Sequence, residues 1–437
     1  LGRRANLAAA TVRGVNRASR ALGRGSGTVI GGRAGLWLDP DLLRRLAADR
    51  RVALVSGTNG KTTTTRMVAV AVGERLGPVA TNETGANMPA GHVAAMAAAP
   101  ESEVAVLEVD EGYLGQLLEA APVSVVVLLN LSRDQLDRVA EVRLVAARWR
   151  SAFEALDHAR PERPPPVVVA NADDPLVVWA ASAAPDVRWV GAGLVWQADA
   201  VGCPACGGRI SFEASGSWRC DRCALARPHL DLWLDGDDLV ASDGTRRPLR
   251  LRVPGRFNRA NAALAVAAGS LLLGGDGRSV DGDVVAGVLG RIGAVDSVEG
   301  RFATVARRGR DVRLVLAKNP AGWMAVLDLL DGPAAADGPV VLSINARTAD
   351  GHDPSWLWDV PFERLTGRRA VATGDRRRDL AVRLRYAEVD HEVVEDPLDA
   401  VDRALELAPV PPGAAPPPEL VFVGNYTAFA DVRRRLR

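Results

Sequence analysis

The sequence predicts a mostly parallel α/β architecture laid out in two successive series, and three observations predict it. Strand-length apolar runs alternate with helical patterns from about residue 52 to 191. That alternation breaks at about 197–250, where short alternating runs surround all four cysteines. A second strand–helix alternation begins at about 311 and continues to 426. Helices interleaved with strands cover both faces of a parallel sheet, which is why this pattern points to the class.

In the first series VALVSG leads into a helix ending near Leu76, and VAVLEVDE and VSVVVLLNL are the next strands. A helix through about Leu156 follows, then PVVVAN and VRWVG. Within the interruption, LDLWLDG, LVASDG and PLRLRVPG carry the alternation and turn residues of hairpins. Helical patterns return at 258–273 and 280–290. The second series reads VRLVLAKNP, a helix from near Ala321, PVVLSINAR, RRAVATGD, a helix and ELVFVGNY, with a proline-rich spacer at 409–419. The expected organisation is an N-terminal segment (1–45), a central domain (46–300) with an insert at about 197–230, and a C-terminal domain (301–437).

The first 38 residues contain several arginines and no acid, with Leu7, Val12, Val15 and Leu22 spaced loosely like one helical face. An amphipathic helix, a transit-type segment and an electrostatic lipid attachment all fit that pattern. A net charge of +1 with 24% charged residues gives no global nucleic-acid footprint. No apolar run approaches the length of a membrane span; VSVVVLLNL has that of a buried strand. The expected location is cytoplasmic, with the inner face of the cell membrane as the finer alternative.

The chain has only two lysines, Lys61 and Lys318, among 54 basic residues. Lys61 sits in SGTNGKTTTT, where a strand ends, Gly57 and Gly60 permit a tight turn, and a helix starts. Backbone N–H groups of such a turn surround a phosphate, and the helix dipole favours its charge. The candidate nucleotide-binding residues are Gly57, Thr58, Asn59, Gly60, Lys61, Thr62 and Thr63. Lys61 would place a compact charge on the β/γ-phosphates and Thr62 a hydroxyl on Mg²⁺, a role a planar guanidinium does not fill. The spacing is shorter than G-x4-G-K-[ST], so this is a variant loop. Glu108 follows four apolar positions, and ligation through Mg²⁺ accounts for a carboxylate there; Asp110 or Glu111 stands beside it. NLSRDQLDR (130–138) ends the next strand, and either faces the nucleotide crevice or caps a helix through Ser132 or Asp134.

Cys203, Cys206, Cys220 and Cys223 form two CxxC pairs separated by 13 residues. Two such turns make a closed tetrahedral Zn²⁺ site with no open position for water, hence a structural role. If all four are ligands, no cysteine remains to attack glutamine, so a reaction drawing nitrogen from glutamine needs a partner. Lys318 ends a strand at VRLVLAKNP, where ligand groups of α/β domains gather, and is the second candidate phosphate or acyl-phosphate contact. In DGHDPSWLWD, Asp353-Pro354 reads as a helix start, and His352 as incidental.

Together GTNGKTT (57–63), LEVDE (107–111), NLSRDQLDR, NADDP (171–175), GRFNRANAALA (255–265) and EGR (299–301) resemble the Mur ligases and their folylpolyglutamate synthetase relatives. The resemblance covers about residues 50–437. It implies a P-loop ATP-binding domain bearing the zinc ribbon, plus a C-terminal Rossmann-like domain. It implies ATP and Mg²⁺ as cofactors, with Lys61 on the phosphates, Glu108 on Mg²⁺, and Asn258 and Asn261 by the base. Arg301, at the domain junction, would approach ATP.

Two departures narrow the resemblance. The family's D-H-x-D is Asp134-Gln135-Leu136-Asp137 here, and no lysine lies between 62 and 317 to be carbamylated. Both point from the amino-acid-adding ligases to the branch called MurT, as do the cysteine insert, VLAKNPAG and DGHDPSWLWD. That branch amidates the D-glutamate α-carboxylate of the lipid II stem peptide, using ammonia from a GatD-type glutamine amidotransferase. In it, an aspartate of the DGHDPSWLWD region completes the partner's Cys-His pair; Asp353 is preferred, with Asp350 next. An amino-acid-adding or folylpolyglutamate-type ligase and a non-catalytic zinc-ribbon interaction protein are the rival expectations.

Overall fold

The computed structural model describes residues 2–22, 27–82, 85–133, 142–159, 164–194, 196–296, 302–332, 338–408 and 420–436. The chain divides into two compact units, one built largely from the residues before 297 and one from those after.

In the first unit β1 (Arg51–Ser56), β2 (Val79–Ala80), β3 (Val104–Val109), β4 (Val123–Leu128), β5 (Val167–Asn171) and β6 (Val187–Gly191) are mutually parallel, in the order 6-5-4-1-3-2. Strand β1 is buried from Val52 onward, as a central strand covered on both faces must be. It lies between β3 and β4, so the chain crosses in opposite directions on its two sides. The carboxyl end of such a strand is where an open α/β sheet forms a crevice.

The cysteine segment adds a separate antiparallel hairpin, β7 (Ile210–Phe212) with β8 (Trp218–Cys220). Beyond it β9 (Leu232–Asp235), β10 (Asp238–Ala241) and β11 (Arg246–Pro248) extend the large sheet from β6. The strand expected in PLRLRVPG stops at Pro248. The rest is loop, and its apolar residues Leu249 and Val253 are buried without strand pairing.

Helices Arg3–Ala21, Thr28–Leu38 and Leu42–Ala47 pack onto this unit, where Ala8, Val12 and Leu42 join the core of Val93, Met96 and Leu107. The first helix buries Ala5, Ala8, Ala9, Val12 and Asn16. Of the face expected from spacing only Val12 is in that set; Leu7 and Leu22 are exposed. Small side chains, not the large ones, set this contact.

The second unit holds β12 (Phe302–Arg307), β13 (Arg310–Leu316), β14 (Val340–Ser343), β15 (Arg369–Thr373), β16 (Asp390–Val393) and β17 (Leu420–Gly424), in the order 12-13-17-14-15-16. Only the β12–β13 pair is antiparallel. Its two-residue turn places both Arg308 (φ 49°) and Gly309 (φ 73°) in the left-handed region, matching the twist of a hairpin. Trp323, Phe362 and Leu380 fill one face of the sheet, and Val401, Phe422 and Phe429 the other. In DGHDPSWLWD the helix start expected at Asp353-Pro354 is present as a short 3₁₀ segment, Ser355–Asp359.

Candidate active site

The phosphate-loop candidate occupies the crevice end of β1. Gly57 (φ 141°) and Gly60 (φ 89°) both have left-handed backbones. A Cβ on Gly57 would lie 2.8 Å from Cβ of Leu129, and one on Gly60 only 2.4 Å from Oδ1 of Asn261. Glycine is therefore required twice, by conformation and by space. The extension of β4 braces the loop: Thr58 N–H donates to Asn130 O at 2.9 Å. The Asn130 amide accepts from Asn59 N–H and donates to Asn59 O, both at 3.0 Å.

A helix, Lys61–Leu76, begins directly after Gly60. Helix starts of this kind present N–H groups and a dipole that favour an anion. Lys61 is buried, and its ammonium donates to Gly57 O (2.5 Å), to Thr58 O (3.3 Å) and to Glu111 Oε2 (3.1 Å). Glu111 is thus the counter-ion of Lys61, and Trp149 Nε1–H donates to its carbonyl at 2.9 Å. One residue along the loop helix, Thr62 Oγ1–H donates to Glu108 Oε2 at 2.7 Å. Two oxygens of the type a hard divalent cation takes, a hydroxyl and a carboxylate, therefore sit together.

Glu108 is held from behind by residues that spacing did not reveal. Asn82 accepts from Glu108 N–H and donates to Glu108 O, each at 2.8 Å, and Nε2 of His92 lies 2.8 Å from the same carbonyl. Asn87 Nδ2–H reaches Glu108 Oε1 at 3.4 Å. His92 is fully buried in helix Pro89–Ala98, and burial pushes its imidazole down to about 4, so it is neutral. The available signal was a lone histidine amid the alanines of GHVAAMAAA.

Asn258 and Asn261 are buried on helix Arg256–Leu272, and Asn261 abuts Gly60. At three residues apart they share a helical face. Asp174 of the NADDP turn caps helix Pro175–Ala181 and also accepts from Leu131 N–H at 2.8 Å, joining the ends of β4 and β5. Burial raises its carboxyl to about 6. Asp134, Gln135, Asp137 and Arg301 lie outside the described residues.

The four cysteine sulfurs lie within 4.8 Å of one another. Tetrahedral Zn–S bonds of ~2.3 Å place sulfurs ~3.8 Å apart, so the set fits one ion. The pairs Cys203–Cys223 at 3.6 Å and Cys206–Cys220 at 3.5 Å are far beyond a disulfide bond of ~2.05 Å. Gly208 N–H and Arg222 N–H donate to the Cys206 and Cys220 sulfurs, which favours the thiolates a metal needs. The ribbon is anchored to the NADDP turn: Trp218 Nε1–H donates to Ala172 O, and Arg227 pairs with Asp173.

In the second unit Lys318 stands between β13 and helix Pro320–Leu330, which Asn319 caps through Gly322 N–H at 2.8 Å. Asp350 is buried; it accepts from Thr427 N–H at 2.9 Å and also from the Thr427 hydroxyl. Those bonds tie it to the start of helix Tyr426–Leu436, a structural duty. Asp353 is exposed and accepts from Ser355 N–H at 2.8 Å. Of the two aspartates, only Asp353 faces solvent.

A phosphate-type loop at the switch point of a parallel sheet, with a hydroxyl and a buried glutamate at its end, defines a nucleotide-dependent α/β enzyme of the Mur ligase type. The family model for the Mur ligase middle domain matches residues 55–269, and that for the MurT ligase C-terminal domain matches 316–429. Over 391 residues the chain is 31% identical to the lipid II isoglutaminyl synthase (glutamine-hydrolyzing) subunit MurT of Streptococcus pneumoniae, covering 83% of each. The subunit of the same name from Staphylococcus aureus (strain COL) is 28% identical, over 96% of this chain and 95% of the relative. The chain belongs to the MurT family, as the sequence resemblance implied.

Solved structures carry the fold further afield. MurF from Acinetobacter baumannii aligns with a TM-score of 0.63 at 17% identity, over 92% of this chain and 80% of that one. Mycobacterium tuberculosis folylpolyglutamate synthase, complexed with ADP and AMPPCP, gives 0.57 at 19% identity, over 91% and 93%. No helix of the described residues is long and apolar enough to cross a membrane.

Proposed function

We propose that this chain is the ATP-using synthetase subunit of a lipid II isoglutaminyl synthase. The observation that supports this most is the loop geometry, in which buried Lys61 and the Thr62–Glu108 pair converge at one strand end. In this reading a γ-phosphoryl group passes from ATP to the α-carboxylate oxygen of D-glutamate in the stem peptide, and ADP leaves. Ammonia then attacks the acyl carbon, and phosphate departs with that oxygen and a proton is lost, giving D-isoglutamine.

Backbone N–H groups at the start of helix Lys61–Leu76 would orient the phosphates, and the Lys61 ammonium would offset charge on the oxygens between the β and γ positions. Thr62 and Glu108 would hold Mg²⁺, which supplies Lewis-acid polarisation of phosphoryl oxygens. Asn258 and Asn261 would take the base side, Lys318 the acyl phosphate, and Arg301 the nucleotide. The cysteine cluster would hold one structural Zn²⁺.

Four ligand cysteines leave no thiol to release ammonia from glutamine, which supports a GatD-type partner whose histidine Asp353 would orient. A subunit acting on lipid II would be found in the cytoplasm, at the inner face of the membrane. Purified chain with ammonium salt should form ADP only when a D-glutamate-containing stem peptide is present. ADP formation independent of that acceptor would reject the reading.

A further inference from the structure

Helix Thr28–Leu38 is packed with its polarity reversed. Gly31, Gly32 and Gly35 point inward, and the approach is too close for any side chain. A Cβ at Gly32 would lie 1.8 Å from Ala90 O, and one at Gly31 would lie 2.1 Å from Asn16 Oδ1. The bulky apolar residues point the other way: Trp37 is 82% exposed, Ile30 65% and Val29 37%. At about 100° per residue, Val29, Arg33, Trp37 and Ile30 fall on one stripe about 100° wide. A helix that gives its glycines to the core and its tryptophan to the surface loses apolar burial unless something covers that stripe.

The charge of this helix and of its neighbour indicates the kind of surface that would cover the stripe. Residues 1–38 contain no acid. Arg3, Arg4, Arg17 and Arg20 of the neighbouring helix are exposed, as is Arg33 within the stripe. Arg4 Nε–H donates to Leu38 O at 2.7 Å, placing a guanidinium at the end of the helix beside Trp37. The first acids along the chain, Asp39 and Asp41, are both held by Arg45. Aliphatic groups, an interfacial aromatic and arginines together match the headgroup–acyl boundary of an anionic bilayer, where an in-plane helix buries one face.

We propose that the outer face of Thr28–Leu38, with the arginines of Arg3–Ala21, seats the protein on an anionic lipid leaflet through Trp37, Ile30 and Val29. The contact holds the enzyme at the surface that carries a lipid-linked acceptor, and it stands apart from the ATP-dependent chemistry.

The test is sedimentation of the full chain with vesicles of equimolar phosphatidylglycerol and phosphatidylcholine, compared with phosphatidylcholine alone. The expected result is at least about tenfold stronger binding to the anionic vesicles, weakened by added salt. The Ile30→Ser/Trp37→Ser variant should lose at least about tenfold of that binding. It should keep its circular dichroism spectrum and its turnover of ATP with a soluble stem-peptide acceptor. Absence of binding to anionic vesicles, or equal binding by the variant, would overturn the proposal. So would a solution dimer of the parent chain that the double substitution dissolves, since the stripe would then be covered by a second copy.

Discussion

Thr62 Oγ1 donates a 2.7 Å hydrogen bond to Glu108 Oε2, linking the first turn of the loop helix to the end of β3. The two residues are 46 apart in sequence and meet because β1 and β3 are parallel neighbours, with Val55 opposite Glu108. That pair and Lys61 beside it are the basis of the nucleotide-site assignment.

Lys61→Ala should reduce amidation at least ~10²-fold, the scale for loss of one positioned electrostatic stabiliser. Lys61→Arg should fare no better, because the buried ammonium is a point donor to Gly57 O, Thr58 O and Glu111, a set that a planar guanidinium does not reproduce. Initial rates with ammonium salt, which need no partner, measure the effect. Near-parental turnover in the alanine variant would contradict the loop assignment.

Cys206→Ser should release one bound zinc per chain and open the segment around residues 200–226 to protease. Sulfurs 3.5–3.6 Å apart fit one tetrahedral ion, and a structural zinc contributes on the order of 10 kcal/mol of apparent binding energy to a small fold. Metal analysis of the purified protein is the check. A metal-free protein with Cys203–Cys223 and Cys206–Cys220 disulfides would reverse the assignment.

His92 predicts a pH dependence of stability. Burial holds its imidazole at about 4 in the folded chain, against 6.5 for the free group. The unfolded chain binds the proton more tightly, so protonation favours unfolding. This stability is fully present above about pH 6.5 and is lost as pH falls toward 4, by up to ~3 kcal/mol. His92→Gln should flatten that slope, seen in urea midpoints measured at about pH 7 and about pH 4.5. Equal slopes in parent and variant would assign the dependence to other groups.

Asp353→Asn separates the two half-reactions. Asparagine keeps the bond to Ser355 N–H but cannot stabilise an imidazolium on another chain. Loss of the acid of such a triad costs ~10⁴-fold. Turnover of the assembled complex with glutamine should collapse, while turnover with concentrated ammonium salt persists. Equal loss with both nitrogen sources would place Asp353 in the fold or at the ATP site. Asp350 differs in kind: bonded to Thr427, its removal should lower stability whichever donor is used.

The legible parts of the molecule are those whose chemistry is local. The loop from Gly57 to Thr63 and the two CxxC pairs are short segments in which the spacing of residue types marks the site, although Asn130 and Asn261 pack against the loop from a distance. The support of Glu108 is not local. Asn82 and His92 lie 26 and 16 residues away and act through a backbone carbonyl, so no spacing rule marks them. Helix Thr28–Leu38 shows the opposite limit: the usual apolar-inward reading would invert it, because close packing at Gly32 and Gly35 outweighs burial of Trp37. The 3₁₀ segment after Asp353 is a third case, since Asp-Pro marks a turn start for more than one kind of helix.

The most direct test of the central claim is mass analysis of the lipid II stem peptide after incubation with this chain, a GatD-type glutaminase, ATP, Mg²⁺ and glutamine. The account predicts exchange of one hydroxyl for an amino group at the D-glutamate α-carboxylate, absent when ATP is omitted or Lys61 is replaced by alanine. An unchanged stem peptide, or one lengthened by an added amino acid, would contradict it.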